Sequence, residues 1–279
     1  MRYCTLILII VIAAATACQH KKANATLPAQ TLQQIDNQSK ASPLDTAIKS
    51  IHVFVALCDN KYQGIVPVSA KVGNGQDPDN NLYWGWGYGI RTFFKNSKEW
   101  ELMSTQKLDS LVLERLVFKH RNTGYYLIAD AYDGRYIKQC TINFLNSLSG
   151  QTKDTIHSGK EVIGINGNAR LISLIGHNGL MDFQIPQPAA NEDKRTRDCI
   201  ILACISKKYF LPYIVNANAY PALLTSGLMG PEAYTLHDAL SAYVKGGNYE
   251  LMRTNAAKAY SAYTKCSFQA AKNLLVTGR

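Results

Sequence analysis

Leu171-Ile172-Ser173-Leu174-Ile175-Gly176-His177-Asn178-Gly179 and Cys199-Ile200-Ile201-Leu202-Ala203-Cys204 are two short, nearly unbroken apolar runs, each stopping at a chemically capable side chain. A strand with one face in water alternates polar and apolar residues, whereas a strand covered by helices on both faces reads as a continuous apolar run. Both stretches are of the second kind. The polar segment between them, from Phe183 to Asp198, is long enough for a crossover between parallel strands. Two adjacent parallel strands deliver the residues at their carboxyl ends side by side, so His177 and Cys204 are expected at one sheet edge.

The rest of the chain repeats the pattern. Residues 52–58 form a further apolar run that stops at Asp59-Asn60, and a loop rich in Gly, Asn, Asp and Pro occupies residues 63–81. Residues 82–100 carry aromatics at spacings compatible with a helix despite three glycines. Residues 113–118 and 125–129 read as strands, the second ending at Asp130, and residues 135–148 as a helix. Residues 221–226 read as a strand. Pro231-Glu232 then opens a helix to about residue 245, because Pro pre-sets φ and Glu complements the helix dipole. Residues 255–276, rich in Ala, Lys and Tyr, read as one closing helix. Alternating β and α elements predict an α/β fold, three-layer α/β/α with a mostly parallel sheet, over residues 51–279. In such folds ligands bind beyond the carboxyl ends of the strands.

Composition agrees. Apolar residues make up 47% of the 279 and charged residues 18%, enough for a large core and too little charge for disorder. The net charge of +10 is scattered in short groups such as Lys21-Lys22 and Lys207-Lys208, without the concentrated stripe or module of a nucleic-acid reader. Attraction to an anionic membrane surface is the better use of it.

The amino terminus has a signal-peptide layout: Arg2, an apolar run from Leu6 to about Ile12, then small residues to Ala17. The run is too short to span a bilayer, which takes roughly twenty residues. Residues 18–50 are polar without lasting periodicity and read as a tether. No spacing suited to a metal is present, and no cofactor is implied.

Of seven cysteines, Cys4 falls within the signal and Cys18 follows it directly, leaving Cys58, Cys140, Cys199, Cys204 and Cys266. An odd number leaves at least one free thiol in an oxidising compartment. Cys204 stands at a strand end after His177. Cys199 begins its strand at the opposite edge, and Cys58 has Asp59 beside it, which disfavours a thiolate.

Two resemblances follow from these residues. Ala15-Thr16-Ala17-Cys18 resembles the bacterial lipobox, with Ala15 where Leu is usual; it implies removal of residues 1–17, lipidation of Cys18 and a place in the cell envelope. Gln19 after the cysteine favours the outer membrane over the inner. The run ending Gly176-His177-Asn178-Gly179, followed by the run ending Ala203-Cys204, is similar to the caspase, legumain and gingipain clan of cysteine peptidases, whose strands end in His-Gly and Ala-Cys. The resemblance covers roughly residues 51–247. It implies a caspase-haemoglobinase-like fold, a His177–Cys204 dyad, an oxyanion site from the backbone N–H groups of Gly179 and Cys204, and a peptide or protein substrate. Loops after the first strands supply the selecting residue in the clan, which points to Asp59, Asp130 and Asp133 and to a basic substrate residue. Asn178, standing between His177 and Gly179, departs from the clan pattern. That departure supports an alternative, a catalytically inactive surface lipoprotein with a binding or assembly role.

Overall fold

The computed structural model describes residues 48–185, 190–191 and 193–278. The signal, the lipobox with Cys18 and most of the tether lie outside the described residues.

An eight-stranded sheet forms the middle of the molecule, in the order β10-β9-β8-β7-β1-β4-β3-β2. Its parallel centre comprises β1 (Ser50–Ala56), β4 (Tyr126–Tyr132), β7 (Leu171–Ile175), β8 (Asp198–Leu202) and β9 (Tyr220–Thr225). β2 (Trp100–Lys107) and β3 (Val112–His120) extend one side as an antiparallel hairpin, and β10 (Leu275–Val276) closes the other side antiparallel to β9. A separate hairpin, β5 (Lys153–Ser158) with β6 (Glu161–Asn166), packs over Val117, Tyr126 and Ile128 of the main sheet.

The pleat sends alternate residues to opposite faces, and each face has its own core. Ile51, Val53, Val55, Ile200 and Leu202 face α1 (Ile90–Lys95), α4 (Ala233–Val244) and α5 (Tyr249–Thr264). Phe54, Ala56, Ile172, Leu174, Cys199, Ile201 and Ala203 face α2 (Ile137–Ser149) and α3 (Ser206–Asn216). The mostly parallel sheet with helices on both faces, read from the sequence, is thus present. Each fully buried Ile or Leu of β8 contributes about 1.5–3 kcal/mol of transfer free energy.

Four local readings change. Residues 82–100 are not one helix: Gly87 has φ +43°, and a Cβ on Gly85 would strike the carbonyl of Asp79, so only Ile90–Lys95 is helical. Trp100 already opens β2. The closing segment breaks at Lys265, which has φ +63°, into α5 and α6 (Phe268–Leu274) before β10. Lastly, β4 runs through Asp130 to Tyr132, which places that carboxylate inside the sheet and not in a loop.

Candidate functional site at the carboxyl edge

β7 and β8 are paired in parallel with Ile175 opposite Leu202, so His177 and Cys204 each lie two residues past the last pair. The adjacency expected from the sequence is met. Gly176 makes the exit from β7: its φ is +136°, and a Cβ there would lie 2.8 Å from the carbonyl oxygen of Ala56, a conformation and a spacing that only glycine accepts.

Asn178, the residue that departs from the clan motif, is fully buried. Its Nδ2 donates to the carbonyl of Cys204 at 2.7 Å, and its Oδ1 accepts the N–H of Leu180 at 3.1 Å, capping the short turn Gly179–Met181. The extra residue therefore ties the loop carrying His177 to the loop carrying Cys204. A Cβ at Gly179 would lie 2.4 Å from the tip of the Phe183 ring, which would have to move to admit it. Among the described residues, the backbone N–H groups of Gly179 and Cys204 donate to no protein acceptor.

His177 Nε2 lies 2.8 Å from Asp182 Oδ2, with side chains 7% and 14% exposed. The same oxygen accepts the N–H of Gly64, in the loop after β1, at 2.6 Å. Asp182 was not singled out in the sequence. Its signal is its place five residues after His177, where a one-turn 3₁₀ segment brings the chain back on itself.

Cys204 is half-buried. Its sulfur accepts the N–H of Met229 at 3.4 Å and donates to the carbonyl of Met229 at 3.5 Å. The next residue, Ile205, stands at φ +50°, ψ +37° immediately before α3, a costly conformation for a β-branched side chain. Buried bonds hold this turn from below. Ser206 Oγ donates to Ile201 O at 2.8 Å, Ser206 N donates to Thr225 Oγ1 at 3.0 Å, and Thr225 Oγ1 donates to Ala203 O.

Tyr83 and Tyr260 lie within electrostatic reach of both Cys204 and Glu232. Tyr260 Oη accepts the N–H of Gly230 at 3.3 Å, next to Met229, and Glu232 accepts from Tyr234 Oη at 2.9 Å. Burial pushes the Tyr83 hydroxyl well above its ordinary range, with Cys58, Cys204 and Glu232 adding to the shift. Trp84 is core, whereas Trp86 and Tyr88 are exposed.

The three carboxylates assigned to substrate binding from the sequence are committed within the fold. Asp59 accepts from Lys61 N, Tyr62 N, Gly75 N and Gln76 Nε2. Asp133 is fully buried and accepts from Gln76 Nε2, Arg135 N and the Arg135 guanidinium. Asp130 receives both nitrogens of an Arg115 fork, at 2.6 and 2.7 Å, and His52 Nε2 at 3.0 Å. Burial alone would raise the Asp130 pKa, but Arg115 and His52 hold it well below the usual carboxylate range.

Burial pushes Cys58 up to about 11, offset in part by a hydrogen bond from Tyr83, and it pushes Cys140 and Cys199 well above the ordinary thiol range. Cys266 Sγ accepts from Thr264 Oγ1 at 3.3 Å. The five described cysteines are all unpaired. Among the described residues no group of three or more His, Cys, Asp or Glu side chains is arranged to hold a metal ion, and no helix is long and apolar enough to cross a membrane. Comparison with known protein families, with curated proteins and with solved structures found no match.

Proposed function

We propose that the protein is a cysteine peptidase related in fold to the caspase, legumain and gingipain clan, attached to the cell envelope through a lipidated Cys18. The observation that carries this reading is the junction at the carboxyl edge, where His177 and Cys204 leave neighbouring parallel strands in register and Asn178 bonds one loop to the other. The envelope location rests on the amino-terminal sequence alone.

In this reading Cys204 is the nucleophile and His177 the general acid and base. When substrate binds, the sulfur in this reading gives up its Met229 partners for the imidazole, as catalytic hydrogen bonds often form fully only in the complex. The N–H groups of Gly179 and Cys204 are the donors available to a developing oxyanion. The buried bond from Asn178 to Cys204 gives the departure from the clan motif a positioning role, which favours the enzyme over an inactive binding protein.

With Asp59, Asp130 and Asp133 committed inward, we assign substrate selection to Glu232, three residues after the Met229 that contacts the Cys204 sulfur. A basic side chain before the scissile bond is the group that would meet it. Glu232→Gln is expected to reduce the preference for basic over neutral residues by about tenfold, the effect of about 1.4 kcal/mol. An unchanged preference would remove Glu232 from the site.

The deciding experiment is hydrolysis of a fluorogenic peptide library, with labelling by a peptidyl electrophile, for protein from Gln19 onward and for Cys204→Ala. The wild type is expected to react and the variant to lose about 10³-fold or more with a melting temperature within a few degrees. Equal inertness of the two would overturn the peptidase reading.

A further inference from the structure

The peptidase reading leaves open which ring nitrogen of His177 serves the thiol and what fixes it. We infer that Asp182 is a positioning residue that holds His177 in the tautomer with hydrogen on Nε2, and that it ties this choice to the docking of the loop after β1. This inference rests on the Cys204–His177 reading.

An ionised carboxylate only accepts hydrogen bonds, so the 2.8 Å contact calls for hydrogen on Nε2, and in the neutral ring the basic electron pair is then the one on Nδ1. Proton exchange with Cys204 then falls to Nδ1. In the acylation step the sulfur bonds the carbonyl carbon, its proton passes to Nδ1, the C–N bond breaks, and the leaving amine takes that proton. Water then attacks the thioester, giving one proton through Nδ1 back to sulfur as the C–S bond breaks. Asp182 remains ionised throughout and stabilises the transient imidazolium. With both side chains largely out of water, this attraction is less screened than at an open surface.

Asp182 is itself held from two sides. Its backbone N–H donates to Gly179 O at 2.9 Å, fixing it at the end of the turn that Asn178 caps. Its Oδ2 receives Gly64 N–H at 2.6 Å. Gly64 belongs to a well-anchored loop: Asn60 bonds both the carbonyl and the N–H of Val68, and Gln63 Nε2 bonds Leu57 O at 2.7 Å. Val66, at the exposed crest of that loop, is 88% accessible.

The test compares wild type, Asp182→Asn, Asp182→Glu and Cys204→Ala by peptide hydrolysis and by the ¹⁵N chemical shifts of the His177 ring, assigned with His177→Gln. Asp182→Asn is expected to lower kcat by about 10²–10⁴-fold, as loss of the orienting carboxylate does in a triad, with little change in KM. Asp182→Glu is expected to restore part of the loss. The ring shifts should report hydrogen on Nε2 in the wild type and a mixture of tautomers in Asp182→Asn. A kcat within about threefold of wild type together with unchanged ring shifts would overturn the inference. If wild type and Cys204→Ala are equally inert, the peptidase reading has failed, and the ring shifts alone decide the role of Asp182: a tautomer unaffected by Asp182→Asn sinks it. Should the Asn variant not fold, Asp182→Glu decides: retention of the wild-type tautomer supports the inference, and a mixed tautomer overturns it.

Discussion

Two histidine–aspartate pairs lie on the same sheet, and they differ in almost everything except residue type. His52 and Asp130 sit within β1 and β4, 3.0 Å apart and each 1% exposed. Nδ1 of His52 accepts the N–H of Asn166 at 3.0 Å, its Nε2 serves Asp130, and Arg115 occupies both oxygens of that carboxylate. His177 and Asp182 lie beyond a strand end, on a glycine exit and a short turn, with a half-buried thiol in register beside them. The contact distance does not distinguish architecture from chemistry. The place along the strand does: only the second pair lies beyond a strand end, beside the end that carries Cys204, which is where the proposed function puts a substrate.

Asp130→Asn sharpens this contrast most. Removing one partner from a buried ion pair leaves Arg115 without compensation, so a loss of about 3–5 kcal/mol is expected in urea unfolding, with any effect on hydrolysis following the loss of folded protein. The pH dependence has a definite sign. The folded pKa of Asp130 is depressed, so its contribution is complete above the unfolded value near 3.9 and declines as pH falls through it toward the folded value. The Asn variant should therefore lose less stability than the wild type on acidification below about pH 4. A variant as stable as wild type at neutral pH would show that the buried trio is dispensable.

Asn178→Ala comes next. It strips the carbonyl of Cys204 of its buried donor, expected to cost about 1–3 kcal/mol, and it unties the two loops, so hydrolysis should fall further than stability requires. If stability falls while kcat of the folded protein is preserved, the tie is architectural, like the first pair. Ile205→Gly has the smallest effect. It relieves a left-handed conformation that costs roughly 1–2 kcal/mol in an L-residue, against roughly 0.5–1 for the added freedom of glycine, so stability is expected to rise by at most about 1.5 kcal/mol. A marked loss would show that packing of the Ile205 side chain outweighs its backbone.

The parallel centre of the fold was legible because strands buried on both faces must be written as apolar runs, and the positions of His177 and Cys204 followed from the ends of two such runs. The hairpin β5–β6 was not legible: Lys153 to Ser158 is a half-exposed, polar strand held by cross-strand pairing, with little apolar periodicity to betray it. Residues 82–100 misled because aromatic spacing was weighed above three glycines, whereas the Trp84 indole turns to bond Glu114 and the chain loops around it. The candidate site was half visible. Strand ends drew the eye to His177 and Cys204, but the bonds of Asn178 and Asp182 form in turns whose closure depends on tertiary contacts, and short polar residues in a turn look alike in sequence whether they cap it or bond a neighbour. Asp130 was misplaced for a related reason: a carboxylate normally ends a buried run, and only Arg115 on the adjacent antiparallel strand, with His52, makes it tolerable inside one.

The direction in which β1 runs has a consequence for how the molecule would be presented to its surroundings. Residues before Ser50 join the sheet at its amino edge, while His177 and Cys204 open at the carboxyl edge, a full strand of seven residues away. At about 3.3 Å per residue that separation is roughly 23 Å. Under the lipoprotein proposal, the chain leading from Cys18 enters the sheet at the edge opposite the one where Cys204 opens.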